Sequence, residues 1–317
     1  MTLPYDDWFG PDAFDATYGY DLDALLAVDA PAEPAGFAEF WTSLYARALV
    51  VDTAPVVRPA AQPGWHDVEF TSLDGVRLGG WLWLPPGDVE RAVVVGHGYG
   101  GRAQPDEGLD LPGTAVLFAA SRGLPERGLV PGIPSVSGEH VLHGIESAAT
   151  YVHGGCVADV WCAASALLAL LPSPPSRVAY AGGSFGGGIG ALALPWDERF
   201  DRGALTVPSF GQHDLRLTMP CTGSGEAVRL HVARHPEARE VLRFFDAATA
   251  ARRLRIPMLV APALWDPSVP PPGQFAVHNA IPGEKELVVL PAGHAEYPGQ
   301  DAEDERRGAA LRAFLLS

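Results

Sequence analysis

The stretch Arg177-Val-Ala-Tyr-Ala-Gly182-Gly-Ser184-Phe-Gly186-Gly-Gly188 decides how the chain is read. A short apolar run, Val178–Ala181, leads directly into Gly-x-Ser-x-Gly, and small residues at helical spacing follow over Gly188–Leu194. Strand, sharp turn and helix in that order form the setting in which a serine is held out of a sheet as a nucleophile. The glycines at 182 and 186 give room for the neighbouring backbone, which a Cβ would deny. The turn also places the N–H of Phe185 at a helix N-terminus, where it can face a developing oxyanion.

A serine hydroxyl attacks only when a base takes its proton and a carboxylate orients that base. On this architecture the chain order is serine, acid, histidine. Of the downstream histidines, His294 lies in Pro291-Ala-Gly-His294-Ala-Glu296, immediately after the apolar run Leu287–Leu290. It is the expected base, whereas His278 sits among Phe275 and Val277 in a helical pattern and is read as packing. Asp266, in Leu264-Trp-Asp266-Pro-Ser-Val-Pro-Pro-Pro272, follows the run Pro257–Ala261 and is the expected acid, with Asp246 and Glu296 as alternatives. The second oxyanion donor is expected from the loop after an early strand, Val93-Val-Val-Gly96-His97-Gly-Tyr99-Gly-Gly101, with the N–H of Tyr99 as the candidate. Tyr99, Phe185 and Trp265 are expected to line the substrate pocket.

Outward from this core the runs Ala92–Val95, Ala115–Ala119, Val178–Ala181, Ala204–Val207, Pro257–Ala261 and Leu287–Leu290 are short and apolar throughout, with helical segments between them. Strands apolar on both faces belong to a parallel sheet covered by helices, an α/β fold. Val68–Leu84 instead alternates around Asp74-Gly75, which predicts an antiparallel hairpin opening the sheet. The first 60 residues read as helical pieces and connectors, with Phe37, Phe40, Trp41 and Leu44 forming one helical stripe. Val157–Leu171 and Asp301–Leu316 carry helical spacing, and residues 219–255 read as a helical insertion before the acid-bearing strand. The expected organisation is a single domain over 1–317.

Composition narrows the function. The chain has 317 residues, 47% of them hydrophobic and 19% charged, enough to bury a large core. Its net charge of −16 repels phosphate backbones and anionic lipid surfaces, so neither nucleic acid nor membrane is an expected partner. Lys285 is the single lysine and no GxxxxGK[ST] loop occurs, which removes kinase and P-loop readings and leaves Schiff-base chemistry one candidate. Cys156, Cys162 and Cys221 form no CxxC pair, and with an acidic N-terminal segment they predict a cytoplasmic protein. His140-Val-Leu-His143 with His153 has the look of metal spacing, but no carboxylate or cysteine pattern accompanies it. His97 reads as a loop-shaping residue, and no metal or cofactor is expected.

Several stretches together resemble carbohydrate esterase family seven, the acetyl xylan esterase and cephalosporin C deacetylase group of the α/β-hydrolase superfamily. They are Phe37-Ala-Glu-Phe-Trp41, Gly80-Trp-Leu82, His97-Gly-Tyr-Gly-Gly101, Arg122-Gly123, Gly182–Gly188, Phe245-Asp246, Trp265–Pro272, Phe275-Ala-Val-His-Asn279 and Gly293-His294. The resemblance implies a triad of Ser184, Asp266 and His294, oxyanion donors at Tyr99 and Phe185, an intracellular metal-free deacetylase of small acetylated compounds, and a hexameric homo-oligomer. Three positions depart from the family pattern: Leu124 and Phe185 each stand where it has a glutamine, and Ala295 where it has a glutamate. A more apolar pocket wall is the expected consequence. The function expected is a serine carboxylic-ester hydrolase working through an acyl-enzyme. An acyltransferase or lactone-forming enzyme with the same triad is the alternative, ahead of a binding protein without turnover.

Overall fold

The apolar runs become strands of one mixed sheet. The structure, a computed structural model, describes residues 3–10 and 13–317. In chain order its elements are α1 (Tyr5–Phe9), α2 (Leu22–Leu26), α3 (Phe37–Leu49), β1 (Val56–Pro59), β2 (Trp65–Thr71), β3 (Arg77–Trp83), β4 (Arg91–Val95), β5 (Thr114–Ala119), α4 (Ser137–His140), α5 (Val152–Leu170) and β6 (Arg177–Gly183). There follow α6 (Phe185–Ala193), β7 (Arg202–Thr206), α7 (His213–Arg216), α8 (Gly223–Arg234), α9 (Ala238–Phe244), α10 (Ala247–Ala251), β8 (Met258–Ala261), α11 (Pro271–Ala280), β9 (Lys285–Leu287) and α12 (Gln300–Leu316).

Among the described residues the sheet runs β1-β2-β3-β5-β4-β6-β7-β8-β9. The pairs β1–β2, β2–β3 and β3–β5 are antiparallel, and from β5 through β9 every neighbour is parallel. The chain leaves β4 for β5 on one side and then returns to place β6 on the other. Loops after β4 and β6 therefore diverge at the carboxyl end of the sheet, where an α/β fold opens a crevice.

Period-two alternation divides each central strand between two cores. Ala92 and Val94 face the side covered by α3, α5 and α6, whereas Val93 and Val95 pack toward Phe314 and Leu315 of α12. The α3 stripe buries Phe37, Trp41 and Leu44, with Phe40 half-buried beside them. Helix α5 is apolar on all sides and has the length and composition to cross a membrane. That character is spent on packing, because the helix runs mostly buried through the larger core. Cys156 and Cys162 on α5, and Cys221 before α8, are free thiols.

Two details differ from the sequence pattern. β1 falls within the first 60 residues, read above as helical pieces and connectors. It is a four-residue edge strand with no buried side chain, so no alternation marks it. The last strand is Lys285–Leu287 rather than Leu287–Leu290. Beyond it the chain keeps Val288 N–H to Val260 O at 3.0 Å, Leu290 N–H to Pro262 O at 2.9 Å and a single parallel bridge between Ala263 and Leu290, as it peels away toward His294.

Candidate active site

Ser184 sits between β6 and α6 with φ 54° and ψ −117°, a left-handed conformation that a non-glycine residue adopts only where its surroundings hold it. The holding groups are close by. Its N–H donates to Thr206 O at 2.8 Å, its carbonyl accepts from Gly188 N–H at 3.0 Å and Ser209 N–H at 3.1 Å, and Gly186 N–H donates to His97 O at 2.9 Å. A Cβ at Gly182 would stand 2.6 Å from Gly186 O, and one at Gly186 would stand 2.9 Å from Gly96 C and His97 O. The turn therefore requires both glycines, and it locks onto the loop after β4.

His294 and Asp266 arrive from the loops beyond β9 and β8. His294 Nε2 lies 2.9 Å from Ser184 Oγ, and His294 Nδ1 lies 2.7 Å from Asp266 Oδ2. A carboxylate only accepts, so Nδ1 carries the proton and Nε2 is free to accept from the serine hydroxyl. Burial works against a charged ring at His294, but the hydrogen bond to Asp266 and its charge outweigh that and hold the pKa above the ordinary histidine value. The Asp266 side chain is wholly buried. Its Oδ1 accepts the N–H groups of Ser268 and Val269, each at 2.9 Å, and its Oδ2 also accepts from Gln274 Nε2 at 2.9 Å. Gln274, on α11, in turn accepts from Ala263 N–H at 2.8 Å, tying both sides of the acid loop together. Sequence reasoning passed over Gln274, whose one signal is a polar residue inside the otherwise apolar turn Pro271–Phe275.

The acid loop is braced from the N-terminal segment. Trp265 stacks on Phe9 with ring centroids 3.9 Å apart, Asp266 N–H donates to Ala16 O at 3.1 Å, and Tyr5 Oη donates to Pro291 O at 2.8 Å. Trp265 is thus committed to an aromatic cluster with Tyr5 and Phe9 behind the acid, and it does not line the cleft, contrary to the expectation above.

The cleft around Ser184 and His294 has a volume of about 690 Å³ and is walled largely by the loop 96–106, by Ser209, and by Thr222–Ser224 and Ser268–Val269. Tyr99 lines it, and Gly98 approaches Ser184 so closely that a Cβ there would lie 3.8 Å from the serine Cβ. The N–H of Phe185 opens α6 next to Ser184. Its side chain takes a different course from the one expected. Phe185 is fully buried and packs on Tyr99, with ring centroids 4.4 Å apart, and on His140, His153 and Phe210. Leu124 is likewise fully buried. Both apolar replacements therefore enlarge the core instead of lining the pocket, whose wall carries Arg102, Gln104, Asp106 and several serines.

The remaining candidates serve structure. His97 accepts from Ser121 N–H at 3.0 Å through Nε2 and donates from Nδ1 to Gly98 O at 2.8 Å, while burial pushes its pKa down to about 4. It stays neutral and shapes the loop. Asp246 caps α10, accepting Thr249 N–H at 2.8 Å and His213 N–H at 2.7 Å, with its pKa raised to about 6 by burial. Glu296 is exposed. His278 is nearly buried and contacts Asn279. Lys285 is spent on the carboxyl end of α11, donating to the carbonyls of His278, Asn279 and Ile281. His140 donates to Arg122 O at 2.9 Å and His153 meets Tyr99 Oη at 2.8 Å, so the two diverge. Among the described residues no three His, Cys, Asp or Glu side chains are placed to hold a metal ion. A buried pair that the sequence reading missed, Arg122 with Asp159, anchors the loop after β5, its nearest contact being 2.7 Å. The signal was an aspartate inside the apolar run Val157–Leu171.

Comparison with known proteins agrees with this fold. The family described as acetyl xylan esterase (AXE1) matches residues 27–307. Among solved structures, the acetyl xylan esterase from Paenibacillus sp. R4 is 24% identical with a TM-score of 0.78, covering 92% of this chain and 99% of that one. Acetyl xylan esterase 1 from Thermoanaerobacterium sp. JW/SL YS485 is 21% identical with a TM-score of 0.78, covering 94% and 99%. The acylaminoacyl peptidase of Pyrococcus horikoshii is more distant, at 17% identity and a TM-score of 0.57, covering 78% of this chain and 40% of that one. A mostly parallel sheet with antiparallel opening strands, a serine on a glycine-bounded turn, and a family match over most of its length place this chain in the acetyl xylan esterase family, as a carboxylic-ester hydrolase of the α/β-hydrolase fold.

Proposed function

We propose that the protein hydrolyses small acylated substrates, acetyl esters first among them, through a covalent acyl-enzyme on Ser184. The observation that carries this reading is the run of contacts Ser184 Oγ–His294 Nε2–Asp266 Oδ2, at 2.9 and 2.7 Å. In the proposed sequence His294 takes the hydroxyl proton as Ser184 Oγ bonds to the ester carbonyl carbon. The tetrahedral oxyanion is held by the N–H groups of Tyr99 and Phe185. As the oxyanion collapses, the carbon–oxygen bond to the alcohol breaks and His294 protonates the leaving oxygen. Water, activated by the same imidazole, then releases the acid and restores the serine. Asp266 fixes the ring and offsets its charge while the proton is held. Each oxyanion donor contributes about 100- to 1000-fold in rate.

The test is Ser184→Ala assayed on 4-nitrophenyl acetate, together with a fluorophosphonate probe on the unaltered enzyme. The expected result is a loss of roughly 10⁴- to 10⁶-fold and labelling at residue 184. Turnover retained in the alanine variant would remove Ser184 from this role.

A further inference from the structure

The catalytic cleft has a side recess that ester hydrolysis as described leaves unused. It holds about 20 Å³, room for one small polar group, and shares Ser209, Ser224, Ser268 and Val269 with the cleft. The polar side chains that it does not share are Tyr151, His213 and Arg216. These are 2%, 4% and 7% exposed, so water from outside does not satisfy them.

Their hydrogen bonding is incomplete. Among the described residues Tyr151 Oη closes no hydrogen bond, and neither ring nitrogen of His213 closes one of good geometry. The Phe245 carbonyl accepts one weak hydrogen bond from the His213 ring, short of good geometry. Folded interiors rarely leave such atoms unpartnered around a single void. Arg216 donates to Gly225 O at 3.2 Å and to Cys221 Sγ at 3.5 Å, yet among the described residues it forms no ion pair. The acid nearest its field, Glu226, is committed to Arg229 Nε at 2.8 Å and to Cys221 N–H at 3.1 Å. A permanent cation is therefore buried with no carboxylate in direct contact and only the field of Glu226 to offset it, a state that a directly bound anion would stabilise. The guanidinium repels any metal ion, and its planar fork matches a carboxylate. Burial pushes the His213 pKa down to about 3, so the ring stays neutral and offers one donor beside the tyrosine hydroxyl.

We propose that the recess receives a carboxylate carried by the ester substrate, so that the enzyme selects esters bearing a free acid over neutral esters of the same length. This rests on the esterase reading and adds a substrate class to it. Arg216 would supply the charge, and Tyr151 with His213 the remaining hydrogen bonds.

Two substrate pairs test the proposal and locate the carboxylate. Ethyl hydrogen glutarate against ethyl glutaramate places it on the acyl side, and acetoxyacetate against acetoxyacetamide places it on the alcohol side. In one pair kcat/KM should favour the acid by about tenfold or more, and Arg216→Met should reduce that ratio to near unity. Arg216→Lys, which keeps the charge without the fork, should retain part of the preference. Should Arg216→Met fold poorly, His213→Phe takes its place with a reduced ratio as the expected result. No preference in either pair, or a preference unchanged in Arg216→Met, overturns the proposal. Turnover of 4-nitrophenyl acetate by the unaltered enzyme, and its loss in Ser184→Ala, reports on the esterase reading separately. An enzyme that cleaves the acetate yet ignores the acid group refutes the recess alone.

Discussion

Gly186 and His97 are joined backbone to backbone: the N–H of the first donates to the carbonyl of the second at 2.9 Å, so the turn bearing Ser184 and the loop bearing Tyr99 form one rigid piece. The two candidate oxyanion donors sit on opposite sides of that joint.

Replacing the glycine tests the joint. In Gly186→Ala the new methyl would stand 2.9 Å from Gly96 C and His97 O and 3.0 Å from His97 N, closer than carbon tolerates against backbone. Either the loop or the turn must give way, and Tyr99 N–H moves relative to Ser184. The expected outcome is a stability loss of about 1–3 kcal/mol and a fall in kcat of about 100- to 1000-fold. Steady-state kinetics beside a circular dichroism melt separate the two effects. Turnover near that of the unaltered enzyme would mean that the joint does not position a donor.

The pH dependence follows from the direction of the His294 shift. The ring acts as a base only when neutral, so kcat/KM should rise with pH through a midpoint above that of a free histidine, because Asp266 stabilises the charged form. Asp266→Asn removes that stabilisation and leaves burial unopposed. The midpoint should then fall below the ordinary value while the rate drops by about 10⁴-fold. A pH–rate profile of the two proteins checks both directions, and a midpoint that fails to move would detach Asp266 from His294.

Stability away from the site depends on Arg122 and Asp159. The carboxylate accepts from Arg122 Nη2 at 2.7 Å, from the Arg122 backbone N–H at 2.9 Å and from Ser72 Oγ at 2.5 Å, all out of solvent. Asp159→Asn leaves the guanidinium buried without its charge partner, which should cost about 3–5 kcal/mol, whereas replacing both residues with apolar side chains of similar volume should cost less. Urea denaturation midpoints decide the matter. Equal losses in the single and double variants would argue that packing, not charge, sets the cost.

Much of this was legible in the sequence because it is written in local signals. The turn around Ser184 announces itself through its glycines, the central strands through uniform apolarity, and His294 and Asp266 through their position just after strands. What escaped depends on how distant segments meet. Gln274 is an ordinary helical residue until the fold sets its amide against Asp266. Phe185 follows Ser184 in sequence, yet its ring turns into the core, where α6 begins at that residue and the side chain packs on Tyr99 and Phe210. Trp265 likewise adjoins the acid but is captured by Phe9, a partner 256 positions earlier in the chain. The β1 edge strand half-buries only Val57 and so left no pattern.

The contact between Phe9 and Trp265 has a practical side. The segment that precedes every strand of the sheet rests against the support of the acid, so anything that pries up the first helix reaches the reaction centre from behind. Trimming the leading residues, or fusing a bulky tag ahead of them, is therefore an intervention on the acid's scaffold rather than a neutral convenience of purification.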